Sequence, residues 1–184
     1  MRLWPKPVYT WGSTEAEREQ PFPCDELLPD ATWTLFRAVD AAAPAGAVFR
    51  WLCQLRVAPY SYDRLDNWGR RSPQALTPGL ERLEVGQRVM TIFRLAAFEP
   101  GESITVVSRG RVFGEVAVTY RVRDVAPGRS RLIAKVLVVP SRRAPWSLPM
   151  RLLLAPGDLV MMRRQLLNLA ELASRGQAPG VVGG

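Results

Sequence analysis

One stretch limits the possible folds more than any other. Between Asp158 and Ala173, the residues Leu159, Met162, Leu166, Leu169, Ala170 and Ala173 recur three or four apart, so they share one face of an α-helix. Arg164, Asn168 and Glu171 fall on the opposite face, and Pro156-Gly157 precedes the run. The spacing predicts a helix that starts with Asp158 as N-cap, its carboxylate accepting orphan backbone N–H groups, and that stops near Ser174-Arg175-Gly176. Such a helix needs an apolar surface of its own length, which only strands elsewhere in the chain can supply.

Those strands precede it. Thr32 to Val39 is rich in β-branched and aromatic residues and reads as a strand. Glu81 to Phe98 holds one or two more, and Ile104 to Val107 another. Glu115 to Asp124 alternates cleanly, with Val116, Val118, Tyr120 and Val122 on one face. Arg131 to Val139 puts Leu132, Ala134, Val136 and Val138 on one face, while Ile133 and Leu137 join Arg131 and Lys135 on the other. Short links between these strands imply an antiparallel meander. If Pro127-Gly128 turns a hairpin, Arg123 comes opposite Arg131, a repulsion that an anion would relieve.

Two short helices are expected after the first strand. One runs from Pro44 to Leu55, with Val48, Trp51, Leu52 and Leu55 on a single face, and the other is a turn within Tyr60 to Asn67. Arg70 to Pro78 reads as a polar loop, and Pro145 to Ala155 as an apolar connector or short helix. Residues 1 to 31 contain five prolines but also Trp4, Trp11, Phe22, Leu27 and Leu28, which is too apolar for a solvated tail. We expect an extended arm packed on the domain, with Met161 and Leu172 on the far side of the final helix as its contacts. A single domain would then occupy residues 32 to 175, followed by a disordered tail at 176 to 184.

The chain contains no histidine, which removes Ser-His-Asp and Cys-His nucleophile pairs, His-ligated metals and the usual neutral-pH proton shuttle. Cys24 and Cys53 are distant and form no C-x-x-C pair, so we expect neither a metal site nor a disulfide framework, and no cofactor. The net charge of +8 comes almost entirely from arginine, yet no basic run exceeds two residues. That scatter argues against sequence-specific nucleic-acid binding. No apolar run is long enough to span a bilayer and the N-terminus lacks signal-peptide features, so a cytoplasmic protein is expected. Oligomeric state is not legible.

Several pieces, taken in order, resemble the START-related, polyketide cyclase-like superfamily, and within it bacterial members with an N-terminal arm. They are Trp11-Gly12 with Thr14 and Glu15; Cys24-Asp25-Glu26-Leu27-Leu28-Pro29; Ala43-Pro44 through Val48, Trp51, Leu52 and Gln54; Tyr60-Ser61-Tyr62-Asp63; Leu83 with Val85-Gly86; Ser130-Arg131-Leu132; and Gly157-Asp158 with Met161, Met162, Arg163 and Leu166. Two departures stand out. Cys24 replaces the family's usual glycine, and Leu55-Arg56-Val57-Ala58-Pro59 replaces a glycine-rich turn. The resemblance implies an α+β helix-grip fold, a curved antiparallel sheet wrapped around a long C-terminal helix. It also implies a cavity between the two. The superfamily includes lipid and hormone binders as well as aromatase/cyclases, so fold alone fixes no activity.

The residues placed to line such a cavity are Trp51, Tyr60, Phe93, Tyr120, Met162, Arg163 and Leu166. Each aromatic taken singly also fits a plain core. Tyr120 stands among valines and its hydroxyl needs a partner if buried, which a polar ligand group could provide. Arg163 lies inside the apolar arc of the helix, and either snorkels to the surface or reaches an anionic ligand group. Asp63, Asp66 and Asn67 suit local capping. An enzymatic alternative takes Asp63 as base and Tyr60 as acid, but no spacing demands it and no catalytic residue is assigned. The expected function is binding of a small hydrophobic or amphipathic molecule, a lipid for example. The alternative is a metal-free cyclase, dehydratase or isomerase acting on a polyketide-like substrate.

Overall fold

The alternating strands assemble into one six-stranded antiparallel sheet of order β1-β6-β5-β4-β3-β2, seen in a computed structural model that describes residues 4–62, 71–110, 114–141 and 147–176, with the backbone alone for 147–154. The strands are β1 (Trp33–Ala41), β2 (Arg88–Val89), β3 (Phe93–Glu99), β4 (Ser103–Gly110), β5 (Gly114–Ala126) and β6 (Arg129–Val139). β2 to β6 form the expected meander, and β1 closes against β6 with Leu35 opposite Val136 and Val39 opposite Leu132. The β5–β6 hairpin turns at Gly128, whose φ of +69° suits glycine. It sets Arg123 opposite Arg131, as the turn residues predict.

On the inner face, Val118, Tyr120 and Val122 lie in one buried layer with Leu132, Ala134 and Val136 and with Ile104 and Val106 of β4. Leu166, Leu169, Ala170 and Ala173 of the final helix cover it, as the stripe requires, and Val48, Trp51, Leu52 and Leu55 of α4 (Ala45–Cys53) and the 3-10 turn after it close one end. Each aliphatic side chain so buried contributes about 1.5–3 kcal/mol. The second expected helix turn, at Tyr60 to Asn67, and the tail from residue 177 lie outside the described residues apart from Tyr60, Ser61 and Tyr62.

The arm differs from the extended segment expected. It folds into three five-residue helices, α1 (Lys6–Thr10), α2 (Glu15–Glu19) and α3 (Pro23–Leu27). Prolines start α1 and α3, where a missing N–H costs nothing, and a Thr14–Glu17 capping box starts α2. The arm explains why both faces of β6 are apolar. Phe22, Cys24 and Leu28 bury Phe36, Ala38, Ala117, Ile133 and Leu137 on the outer face in a second core. Charges fix it there: Glu17 bonds Arg131 at 2.7 Å, and Asp25 accepts from Lys135 Nζ at 2.8 Å. The arm therefore supplies the anion that the Arg123–Arg131 pair lacks, and Arg123 itself donates to Gln20. At Gly12 (φ +73°) a Cβ would meet the Ala38 carbonyl oxygen at 2.0 Å, so only glycine lets the arm pass the edge of β1.

The final helix, α5 (Ser147–Arg175), is longer than its stripe suggests and contains Pro156. Asp158 is therefore two turns or more inside the helix and is not its cap. It pairs at 2.7 Å with Arg37, a fully buried residue on the inner face of β1 whose Nη2 also reaches the Ala155 carbonyl at 3.4 Å. A guanidinium in the core requires a counter-charge, and that requirement places Asp158.

Candidate functional site

Trp51 and Tyr60 meet edge to face, with ring centroids 5.9 Å apart. Tyr60 has a φ of 55°, a left-handed conformation that costs an aromatic residue of order 1–3 kcal/mol and must be held by its surroundings. Two side-chain amides of α5 do the holding. Gln165 Nε2 donates to the Pro59 carbonyl at 2.6 Å, and Asn168 Nδ2 donates to the Tyr60 carbonyl at 2.8 Å. The two amides stand three residues apart, on one flank of the helix, and secure two consecutive carbonyls.

Gln165 also reaches the sheet. Its Oε1 accepts from the Tyr120 hydroxyl at 2.7 Å, and Met162 Sδ lies 3.5 Å from the same hydroxyl. Tyr120 is 1% exposed, and its partner is thus protein. Burial first, and then the charge of Asp158, push its phenol far above the usual range against the Gln165 bond, so it stays protonated at any ordinary pH. Arg37, Asp158, Tyr120 and Gln165 are polar groups set in a largely apolar interior layer. Burial, with Glu81 adding to it, pushes the Cys53 thiol up to about 12, and burial likewise raises Cys24, so both are held as neutral thiols. Among the described residues no group of three Cys, Asp or Glu side chains is placed to hold a metal ion.

Trp51, Tyr60, Tyr120, Met162 and Leu166 belong to one core, and half-buried Phe93 packs against its margin. Arg163 is exposed and stands apart, its guanidinium 5.3 Å from the Trp11 ring centroid of the arm. An aromatic face at the margin of the core receives the cation at the surface. Asp63, Asp66 and Asn67 lie outside the described residues.

An open cleft of about 200 Å³ lies beside α5, lined by Tyr60, Ser61, Ser72, Arg164, Asn168 and Leu172 among others. A smaller hollow of about 90 Å³ lies beside Leu27 and Leu28 on the outer face. Tyr120, Met162 and Leu166 line neither. The cleft's lining is chiefly polar, unlike the valine-lined space expected around Tyr120. The helix flank expected to face away carries Asn168 and Leu172, and the segment around Tyr60 packs on it. Gln165 and Asn168 escaped the sequence reading. Gln165 had one visible signal, a polar residue three after Met162 and four before Leu169, within the apolar stripe.

No family model and no curated protein matches the chain. Solved structures do. The Zhui aromatase/cyclase from Streptomyces sp. R1128 is similar with a TM-score of 0.55 and 16% identity, over 82% of this chain and 98% of that one. The di-domain ARO/CYC BexL from the BE-7585A biosynthetic pathway is similar with a TM-score of 0.51 and 14% identity, over 79% of this chain and 48% of that one. A protein from Thermus thermophilus gives a TM-score of 0.50 and 14% identity, over 79% of this chain and 99% of that one. The fold and its meander thus define an α+β helix-grip protein. It has the fold of the START-related, polyketide cyclase-like superfamily. Among the described residues no helix is long and apolar enough to cross a membrane.

Proposed function

We propose that this protein binds a small amphipathic molecule beside its final helix, in the cleft between Ser61 and Asn168, with the buried Trp51–Tyr60 pair packed behind its wall. The observation that supports this reading is the doubly held Pro59–Tyr60 segment. A strained tyrosine in a segment fixed by two helix amides beside an open cleft is a preformed wall, and ligand sites are commonly preformed. At about 200 Å³ the cleft is smaller than the ~300–1,000 Å³ of sites that enclose drug-sized ligands, so one or two rings or a short chain fit without opening. Tyr120, Met162 and Leu166 stand behind this wall. They support it through Gln165, and they become lining where a longer ligand parts sheet and helix.

Titration with the neutral dye N-phenyl-1-naphthylamine tests the reading. Saturable fluorescence enhancement is expected in the wild type and its loss in Ser61→Trp, which fills the cleft without removing a core side chain, at unchanged melting temperature. No enhancement in the wild type, or full enhancement in Ser61→Trp, refutes it. The second reading, a metal-free cyclase, is favoured by the likeness to an aromatase/cyclase. It requires that a poly-β-ketone change mass or absorbance on incubation with the protein.

A further inference from the structure

We infer that the molecule bound in the cleft is an amphipathic acid whose carboxylate is held by Arg164. The inference rests on the ligand-binding reading above and narrows it to one chemical class. The polar groups around the cleft are mostly committed. Asn168 is bonded to the Tyr60 carbonyl at 2.8 Å, Gln74 Nε2 to the Ser72 carbonyl at 3.1 Å, and Glu171 is neutralised by Arg175 at 2.6 Å. Arg164 has neither an ion pair nor a hydrogen bond among the described residues, yet it lines the cleft one helical turn before Asn168. With the Glu171–Arg175 pair neutral overall, Arg164 is the uncompensated charge among the described residues that line the cleft, which matches a monoanion.

A guanidinium presents its N–H groups in a planar fork that fits a carboxylate with two parallel hydrogen bonds. Arg164 is exposed, so an ion pair there contributes little by itself. Tyr60 and Leu172 border the cleft but are themselves buried, so contact with the wall as a whole supplements the ion pair, and the arginine discriminates acid from neutral ligand.

The experiment compares 2-naphthoic acid with 2-naphthamide, equal in shape but not in charge, by calorimetric or NMR titration of the full chain. The acid should bind about two- to fivefold more tightly in low salt, and this preference should shrink as salt screens the charge. Arg164→Gln should bring the two affinities together by weakening the acid alone, while Arg164→Lys should keep part of the preference. Equal binding of acid and amide to the wild type, or an undiminished preference in Arg164→Gln, overturns the inference and leaves ligand binding standing. Failure of both compounds to bind overturns the ligand reading itself, and the inference with it.

Discussion

Replacing Asp158 with alanine isolates the one fully buried cation that the inner layer contains among the described residues. Arg37 has no exposed side-chain surface, and its carboxylate partner is 19% exposed. Without Asp158 the guanidinium keeps its own Phe36 carbonyl at 2.8 Å and the long bond to the Ala155 carbonyl, but no negative charge. Removing one member of a buried pair costs about 3–5 kcal/mol, and the partial water access of Asp158 puts this site at the lower end, about 3 kcal/mol. Against a total stability on the order of 5–15 kcal/mol that is a large fraction. Arg37→Met with Asp158→Leu should recover most of the loss, because two charges leave the interior together and apolar side chains replace them. Urea unfolding followed by tryptophan fluorescence measures all three variants, provided the m-value is constant. A loss under about 1 kcal/mol in Asp158→Ala, or a double variant no more stable than the single one, would show that the pair does not hold the helix to β1.

Tyr120→Phe leaves Gln165 Oε1 without its donor in a buried layer, and thermal unfolding should show a loss of about 1–3 kcal/mol. If dye binding to the cleft also weakens, the Tyr120–Gln165–Pro59 chain transmits order from sheet to cleft wall; unchanged stability would refute the network. The arm predicts acid sensitivity. Burial raises Glu17, but its bonds with Arg131 and Thr14 outweigh that and bring it below its ordinary 4.5. A depressed carboxyl stabilises above its unfolded pKa and loses that stability as pH falls through the folded value. Glu17→Gln should therefore flatten stability against pH below about 4.5 and cost about 1–3 kcal/mol at neutral pH. A Glu17→Gln profile as steep as the wild type's would refute the arm's role.

Periodicity determined the strands and the apolar stripe of the final helix, because hydrophobic burial repeats every second residue in a strand and about every 3.6 in a helix, and turn residues with short links gave the β5–β6 hairpin and the meander. Tyr120 and Leu166 were legible as interior for the same reason. Tertiary structure decided what periodicity does not encode. Whether Asp158 caps a helix or pairs within it depends on Arg37, 121 positions earlier in the chain and brought beneath the helix only by the pairing of β1 with β6. Asn168 looked solvent-facing because a helical wheel records the helix's own faces and not a loop folded over one of them. Ile133 and Leu137 broke the polar face of β6 for a reason found far away, in Phe22, Cys24 and Leu28 of the arm. Each of these side chains takes its role from a partner distant in sequence, and only the closed fold supplies that partner.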